Sequence, residues 1–512
     1  MPRRPSRPTS SLDPSHRQQL RNLVGRVTRG ARDNPNPRRT RRPDEKFELT
    51  PARVLLLAFL GLVVVGTLGF KTLPGLYVNP NEPLSWLDAL FTATSAVCVT
   101  GLIVVDTATY FTPLGQFYVL ILIQLGGLGM LGLASFIIVT FRVRLSLRQD
   151  AIAGGGGPGG AAENVATRSL VRDVLLFTFG AELIGFVALL WLWHGDLGWR
   201  SAAWHALFHS VSAFCNAGFS TFSDSLMGYQ HRPATLLVIM AGIILGGLGF
   251  LTLEELKLWI RARREERGFR LSLHTRLVLS SSLILILAGA VLLGALEYGN
   301  PRTLGSFDAV DVVVNSLFLS VTPRTAGFNT VDYGGVTSAT AFATILLMSI
   351  GGAPGGTAGG IKVTTIAVLV AMAFSRTRGR GTTDVWERTI PAATSQRAAG
   401  LFAFAFIFVT AGILLYSITE LGTEYVGFSA DGIRLGEPLN FLDVMFEAAS
   451  AFNTVGLSTG TTDDLSPPGR LLTIVLMFIG RVGPLTFAAA LTRDARSARL
   501  IRRHAHEDVV VG

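Results

Sequence analysis

The chain has 512 residues, of which 49% are hydrophobic and 16% are charged, and its 45 Lys and Arg against 35 Asp and Glu give a formal net charge of +10. Soluble globular chains carry about 25% charged residues, which excludes a water-soluble globular protein along most of this length. Two cysteines, Cys98 and Cys215, exclude a disulfide-built fold and a Cys-rich zinc site.

The amino-terminal segment is rich in arginine, with interspersed Pro and Ser, and holds a single aromatic residue, Phe47. This composition cannot bury a core, so we expect residues 1–50 to form a disordered cytoplasmic arm. No DNA-reading motif accompanies the basic residues. We therefore expect the arm to contact anionic lipid or to control topology, and we expect no nucleic-acid partner.

Eight apolar stretches meet the requirement of about 20 residues for a membrane-spanning helix. They lie at 53–73, 114–140, 171–193, 234–259, 276–296, 340–374, 399–419 and 470–491. Basic residues follow the second, fourth, sixth and eighth stretches. The positive-inside rule therefore predicts a multi-pass protein of the cell membrane with both termini in the cytoplasm.

A shorter apolar segment lies between the two spans of each successive pair, at roughly 84–98, 201–215, 308–322 and 440–453. A helix of this length enters a membrane but cannot cross it. The chain must then return as irregular backbone, which survives at that depth only where protein shields it or it lines a wet cavity. Candidate N-caps at Ser85, Asp311 and Asn440 indicate helices that begin at the outer side.

The order of span, short segment and span occurs four times, and the short segments align as FTATSAVCVTGL, FHSVSAFCNAGF, LFLSVTPRTAGF and FEAASAFNTVGL. One glycine column runs through all four copies, at Gly101, Gly218, Gly327 and Gly456. Glycine lets chains approach closely and adopt dihedrals that other residues avoid. Four re-entrant loops in register predict a central axis lined by carbonyl oxygens, which can replace the water shell of a monovalent cation.

The predicted fold is an all-α polytopic membrane protein with eight transmembrane helices. Four repeats of membrane helix, pore helix with loop, and membrane helix stand in pseudo-fourfold arrangement around a central pore. The predicted parts are the arm 1–50, repeat 1 at 51–145, a Gly-rich cytoplasmic linker at 146–168, repeat 2 at 169–265, repeat 3 at 266–380, repeat 4 at 381–495 and a cytoplasmic tail at 496–512.

An acidic residue follows each glycine of the column by five to seven positions, at Asp106, Asp224, Asp332 and Asp463. These carboxylates predict an outer vestibule that concentrates cations before they enter the pore. Asp is also common where turns end, so a purely local role is an equal alternative.

The loop strings VTGLIVVDT, NAGFST, RTAGFNTVD and TVGLSTG resemble those of the Ktr/Trk/HKT superfamily of potassium transporters. The resemblance covers about residues 50–492, and eight spans are most similar to the Ktr membrane subunit of that superfamily. It implies a selectivity filter that binds K+ at backbone carbonyls, with Gly101 in place of the Ser found in sodium-preferring plant relatives. The implied filter residues are Val99, Thr100, Gly101, Asn216, Ala217, Gly218, Thr325, Ala326, Gly327, Thr454, Val455 and Gly456.

The sixth span is interrupted by GGAPGGTAGG at 351–360, which holds too much Gly and Pro for a stable helix. The resemblance implies an intramembrane gating loop there, beneath the filter. Arg481 lies in the last span, where a charge is costly. The resemblance implies that it forms an electrostatic barrier or holds the loop. The alternative is a structural pairing with Glu182. The predicted gate residues are Gly351, Gly352, Gly355, Gly356, Thr357, Gly359, Gly360 and Arg481.

The resemblance implies K+ uptake through a gated pore, by a homodimer on a cytoplasmic nucleotide-binding regulatory subunit of the KtrA or TrkA type. No dinucleotide or phosphate-binding fingerprint occurs, so we expect no organic cofactor in this chain. Na+ as a coupling or activating ion stays open, as does a sodium-permeable or ungated channel of the same fold. A membrane enzyme is a distant alternative. His205 and His209, four residues apart on one short helix, are expected to face the outer water.

Overall fold

The computed structural model describes residues 51–140, 160–265, 269–421 and 440–483. Several predicted parts lie outside these ranges. They are the amino-terminal arm, the linker as far as residue 159, the end of the eighth span and the carboxy-terminal tail. The last part of the predicted linker, 160–168, is helical.

Helices account for nearly all of the regular structure in these ranges. In chain order they are α1 (Pro51–Thr72), α2 (Trp86–Val97), α3 (Thr107–Tyr110), α4 (Pro113–Thr140), α5 (Gly160–Leu197), α6 (Trp199–Cys215), α7 (Pro233–Gly247), α8 (Phe250–Arg264), α9 (Leu273–Glu297), α10 (Ala309–Val321), α11 (Ser338–Met348), α12 (Val363–Thr377), α13 (Ala392–Thr419), α14 (Phe441–Asn453) and α15 (Pro467–Val482).

A short β-ribbon departs from the all-helical prediction. Strand β1 (Thr383–Val385) pairs antiparallel with β2 (Arg388–Ile390) between α12 and α13. The two residues that join the strands, Trp386 and Glu387, both have positive φ, which is the geometry of a tight hairpin turn. Neither residue is a usual former of such a turn, so the sequence carried no hairpin signal.

The four short helices α2, α6, α10 and α14 match the predicted short segments. Ser85 caps α2, and Asn440 caps α14 in a capping box with Asp443. The predicted cap of α10 was wrong. Asp308 accepts the cap bond from the Asp311 backbone N–H at 2.9 Å, and the Asp311 side chain lies within the first turn.

Within the described ranges, four helices are long and apolar enough to cross a membrane as continuous segments: Arg53–Thr72, Arg172–Leu197, Leu273–Glu297 and Ala392–Thr419. The fourth predicted stretch is not one straight helix, because α7 and α8 meet at an angle of 102°. Gly249 stands at the break with a φ of +79°, which a right-handed helix cannot contain. The predicted sixth span is likewise divided into α11 and α12, at the Gly-rich run.

The long helices carry exposed apolar side chains on their outer faces. Val65, Ile184, Val291 and Ile407 are all at least 60% exposed. Exposed apolar surface of this extent is compatible with a lipid surround and not with water. The chain is therefore a multi-pass membrane protein.

Four apolar cores hold the helices together in a cyclic order. The first core joins α1, α2 and α4 to Phe208 on α6, and the second joins α5, α6 and α7 to Phe318 on α10. The third joins α9, α10 and α11 to Phe446 on α14, and the fourth joins α13, α14 and α15 to Phe91 on α2. Each unit thus buries part of the short helix of the next unit, and the last unit returns to the first.

Candidate functional site

The four column glycines lie against one another in a closed ring. A Cβ atom built on any of them would come within 3.0 Å of the carbonyl oxygen that precedes the glycine of the next unit. The glycine and oxygen pairs are Gly101 with Ala217, Gly218 with Ala326, Gly327 with Val455, and Gly456 with Thr100. Real Cβ atoms do not approach oxygens so closely, so glycine is required at all four positions.

The same backbone conformation occurs in all four loops. Each glycine has positive φ, at 94°, 70°, 78° and 90° in chain order. The residue two positions earlier also has positive φ in every loop, although none of the four is glycine: Val99, Asn216, Thr325 and Thr454. This alternation in the sign of φ over three residues belongs to neither a helix nor a strand. Non-glycine residues rarely adopt this conformation, so each loop must be held in place by its surroundings.

A buried hydroxyl group of each short helix holds the loop around its glycine. Ser95 donates to the Leu102 carbonyl at 2.7 Å, and Ser212 donates to the Phe219 carbonyl at 2.8 Å. Thr322 donates to the Phe328 carbonyl at 2.7 Å. In the fourth unit the Ser450 hydroxyl accepts from the Gly456 backbone N–H at 3.1 Å. Sequence analysis missed these clamps, although Ser95, Ser212 and Ser450 form a visible column six residues before the glycine.

A cavity of about 280 Å³ lies above the ring, and all four glycines and all four predicted vestibule acids line it. The lining acids are Asp106, Asp224, Asp332 and Asp463. Asp106 also caps α3, and Asp332 also caps a short 3-10 helix. Local turn roles and cavity lining therefore coexist in these residues. Burial raises the pKa of the Asp463 carboxyl above its ordinary value, and the neighbouring Asp464 adds to the rise.

The Gly-rich run at 351–360 lies against the second unit at the break between α7 and α8. Ala353 and Thr357 donate backbone N–H groups to the Gly247 and Gly246 carbonyls, at 2.8 and 3.1 Å. In return, the Phe250 N–H donates to the Gly355 carbonyl at 3.0 Å. These bonds satisfy carbonyl groups at the end of α7 and an N–H group at the start of α8 that the helices leave unpaired. They explain why the break is stable and why the sequence of the span did not reveal it.

The same run also contacts the fourth unit directly below its loop. A Cβ atom on Gly359 would lie within 3.0 Å of Thr454 Oγ1, and one on Gly360 would lie 3.0 Å from Asn453 Oδ1. Thr357 Oγ1 donates to the Phe214 carbonyl at the end of α6, at 3.0 Å. The run therefore extends from the second unit to the fourth, beside the ends of their short helices.

Two cationic side chains bind the run through its carbonyls. Arg481, which is 2% exposed, donates to the Thr357 carbonyl and, at 3.2 Å, to the Gly126 carbonyl on α4. Lys362 donates to the Ala358 carbonyl at 2.7 Å and to the Gly359 carbonyl at 3.2 Å. Three successive carbonyls, 357–359, are thus bound by side-chain cations. The role of Lys362 was missed by sequence analysis.

Arg481 does not pair with Glu182, which was the alternative partner expected from the sequence. Glu182 accepts instead from the Gln124 side chain at 3.0 Å. The sequence left open whether Arg481 binds the Gly-rich run or pairs with Glu182. In the structure its guanidinium group contacts carbonyl groups of the Gly-rich run and of α4.

The expected position of His209 was wrong. His209 is fully buried behind the second loop, and its Nε2 lies 2.9 Å from Ser220 Oγ. Glu447, which is 1% exposed, is buried in the equivalent place behind the fourth loop. The carboxyl-terminal parts of these two short helices are buried, so their polar residues must find partners within the protein.

Comparisons with known proteins give consistent matches over most of the chain. Residues 69–500 match the model of the TrkH family, described as cation transport proteins. The Ktr system potassium uptake protein B of Vibrio alginolyticus is 39% identical, over 86% of this chain and 91% of its own length. The potassium/sodium uptake protein NtpJ of Enterococcus hirae is 34% identical, over 91% of this chain and 98% of its own length. The crystal structure of the potassium transporter TrkH from Vibrio parahaemolyticus matches with a TM-score of 0.65 at 21% identity, over 88% of this chain and 86% of that one.

Proposed function

Because the chain belongs to the TrkH family of cation transport proteins, we propose that it is the membrane subunit of a potassium uptake system and that K+ crosses through the ring of four glycine loops. The similarity to a Ktr potassium uptake protein confirms the resemblance first seen in the loop strings. The chain is a transporter and not an enzyme. It is embedded in the membrane and works with a separate regulatory subunit.

The closed ring of glycines and carbonyl oxygens is the observation that carries the filter proposal. Four loops from one chain, arranged with pseudo-fourfold symmetry, supply carbonyl oxygens in place of the water shell of K+. Thr100, Thr325 and Thr454 add buried hydroxyl groups that have no hydrogen-bond partner within the described ranges. The filter is formed by Val99, Thr100, Gly101, Asn216, Ala217, Gly218, Thr325, Ala326, Gly327, Thr454, Val455 and Gly456.

Electrostatics on both sides of the ring favour a cation. The carboxyl-terminal ends of the short helices carry partial negative charge and lie beside the loops. On the outer side, the four carboxylates around the 280 Å³ cavity raise the local cation concentration. A K+ ion thus meets the acidic vestibule first and the carbonyl ring second.

The Gly-rich run 351–360 is the gate in this proposal. It crosses the inner side of the ring, and Arg481 and Lys362 hold it there through the carbonyls of residues 357–359. Opening breaks these bonds and withdraws the run, and the small side chains of the run permit that motion. Arg481 also places a positive charge on the path of K+ while the gate is closed.

The family relationship also supports a proposal for the assembly. We propose a homodimer with eight spans per chain and both termini in the cytoplasm, where a nucleotide-binding subunit of the KtrA or TrkA type controls the gate. The broken fourth span and the divided sixth span count as one crossing each in this topology. Nucleotide control then comes from the partner polypeptide.

The test is K+ uptake in a host that lacks its own potassium import systems. We expect growth at low K+ when this chain is expressed with its regulatory subunit, and weaker uptake without that subunit. A Gly456→Ser variant that reaches the membrane tests whether the glycine ring forms the ion pathway. Uptake by that variant equal to the original chain, in rate and in preference for K+, would contradict the filter proposal.

A sodium-permeable pathway is a second candidate, because the relative from Enterococcus hirae is named a potassium/sodium uptake protein. Competition between the two ions separates the candidates. A potassium-selective pore keeps its K+ uptake in excess external Na+, whereas a sodium-permeable one accumulates Na+ under the same conditions. Stimulation of K+ uptake by Na+ at low concentration would instead indicate coupling or activation.

A further inference from the structure

Two buried side chains behind the loops break the fourfold equivalence of the ring. The position nine residues before each column glycine is Thr92, His209, Phe318 or Glu447 in the four units. The position two residues after each glycine is Ile103, Ser220, Asn329 or Ser458. In the second and fourth units these two positions are joined by a hydrogen bond, and the loop is tied to its short helix there.

His209 is held in one orientation by its surroundings. Its Nδ1 lies 2.8 Å from the His205 carbonyl oxygen, which can only accept a hydrogen bond. The neutral ring therefore carries its proton on Nδ1, and Nε2 accepts from the Ser220 hydroxyl at 2.9 Å. The ring also stacks on Phe222, with the centroids 4.8 Å apart, and meets the Trp193 ring edge-on at 5.3 Å.

Glu447 binds a longer part of its loop. Its carboxylate accepts hydrogen bonds from Thr462 at 2.7 Å, from Ser458 at 3.0 Å and from Thr461 at 3.1 Å. Ser458 in turn accepts from the backbone N–H groups of Gly460 and Thr461. Three hydrogen bonds to one buried carboxyl group, together with those that Ser458 accepts, therefore hold the segment from 458 to 462 beside the cavity.

In the first and third units, these two positions are not joined by a hydrogen bond within the described residues. Thr92 Oγ1 is buried without a hydrogen-bond partner in the part of the chain that the structure describes. Phe318 has no polar group, and it packs in the second apolar core. Because the ring follows chain order, the two loops that carry this additional tie face each other across it. The other two loops keep only the hydroxyl clamps of Ser95 and Thr322 and, in the third unit, the backbone hydrogen bonds of Asn329 to Ser225 and Leu226.

We propose that His209 and Glu447 are positioning residues that fix the second and fourth loops and thereby set the discrimination between K+ and Na+. The inference rests on the proposed function of the ring. Discrimination depends on how well the coordinating oxygens keep the spacing that suits the larger ion. Two opposed rigid loops hold that spacing across the ring, and a loop released from its tie can close around the smaller ion.

The experiment measures the ratio of K+ to Na+ uptake and the KM for K+ in the import-deficient host, with the full chain and its regulatory subunit. One tie is weakened by each of three variants: Glu447→Gln, Ser458→Ala and Ser220→Ala. We expect each variant to lower the K+ to Na+ uptake ratio about fivefold, which corresponds to the free energy of one hydrogen bond, and to raise the KM for K+. Ser458→Thr keeps the hydroxyl and is expected to retain the original ratio.

Two comparisons separate positioning from general damage to the protein. Thr92→Val removes the corresponding unpartnered hydroxyl in the first unit and is expected to leave ratio and KM unchanged. If Glu447 acts through Ser458, the double variant Glu447→Gln Ser458→Ala falls no further than the stronger single variant. Additive losses would overturn the assignment of Glu447 to this tie.

The failure of this inference is distinguishable from the failure of the proposed function. If the tie variants keep the original ratio while Gly456→Ser lowers it, the ring is the filter and the ties do not set its selectivity. If Gly456→Ser also keeps the original ratio, the ring is not the filter and both proposals are overturned. Membrane insertion of each variant is quantified on the same samples, so that a loss of protein is not scored as a loss of selectivity.

Discussion

Replacement of Arg481 by Gln should open the gate. Of the two hydrogen bonds that Arg481 donates to described residues, the one to Thr357 holds the Gly-rich run, whereas the one to Gly126 anchors the arginine to α4. A hydrogen bond to a charged group contributes about 1.5–3 kcal/mol. With a factor of ten for each 1.4 kcal/mol or so, its loss shifts the equilibrium between closed and open states about 10- to 100-fold toward open. Removal of the buried positive charge from the proposed ion path should also raise the K+ flux, because it weakens the electrostatic repulsion of the ion.

The assay is the initial rate of K+ uptake by this variant without its regulatory subunit, normalised to the amount of protein in the membrane. Arg470→Gln is the matched control, since Arg470 lies on the same helix but forms an ion pair at 2.6 Å with Asp88, in the first turn of α2. We expect a higher rate for Arg481→Gln and no increase for Arg470→Gln. A rate for the Arg481 variant at or below that of the original chain would refute the assignment of Arg481 to the closed gate.

Three further outcomes follow from the same geometry. Gly101→Ser forces a side chain against the Ala217 carbonyl at a φ of 94°, so we expect the preference for K+ over Na+ to fall about tenfold. Gly61→Ser, at a position with nothing within 4 Å of the added atom, should preserve that preference. Deletion of residues 355–359 should raise K+ flux and reduce its dependence on the regulatory subunit; equal or lower flux in a properly inserted protein would contradict the gate. Because burial raises the pKa of Asp463, its negative charge is lost at a higher pH than that of an ordinary aspartate. Uptake should therefore decline as the external pH falls through that range, and less steeply in Asp463→Asn.

Local sequence was sufficient for features that depend on composition and periodicity. The apolar stretches, the four short helices and the glycine column were all visible because membrane helices require long apolar runs and because one unit was repeated four times. The Gly-rich run could be recognised as non-helical from its composition alone. Even the cap of α14 at Asn440 followed from residue type and position.

Features that depend on neighbours distant in the chain could not be derived in this way. The break at Gly249 is stabilised by hydrogen bonds to a run more than a hundred residues later, so the span that contains it looks continuous in sequence. Asp308 and not Asp311 caps α10, because the helix begins three residues earlier than expected. Helix boundaries are the least reliable part of sequence-based prediction. The β-ribbon arises from two residues in a conformation that their types do not favour.

The chain's own sequence determined that four similar units enter a membrane and that each carries a glycine where its backbone must turn. Only the tertiary structure decided which groups meet: glycine against the next unit's carbonyl, Arg481 against the Gly-rich run and not Glu182, and His209 and Glu447 against their loops. The physical reason is that composition and periodicity govern local helix formation and burial in lipid, whereas a buried polar group must be satisfied by whichever partner the fold brings within about 3 Å.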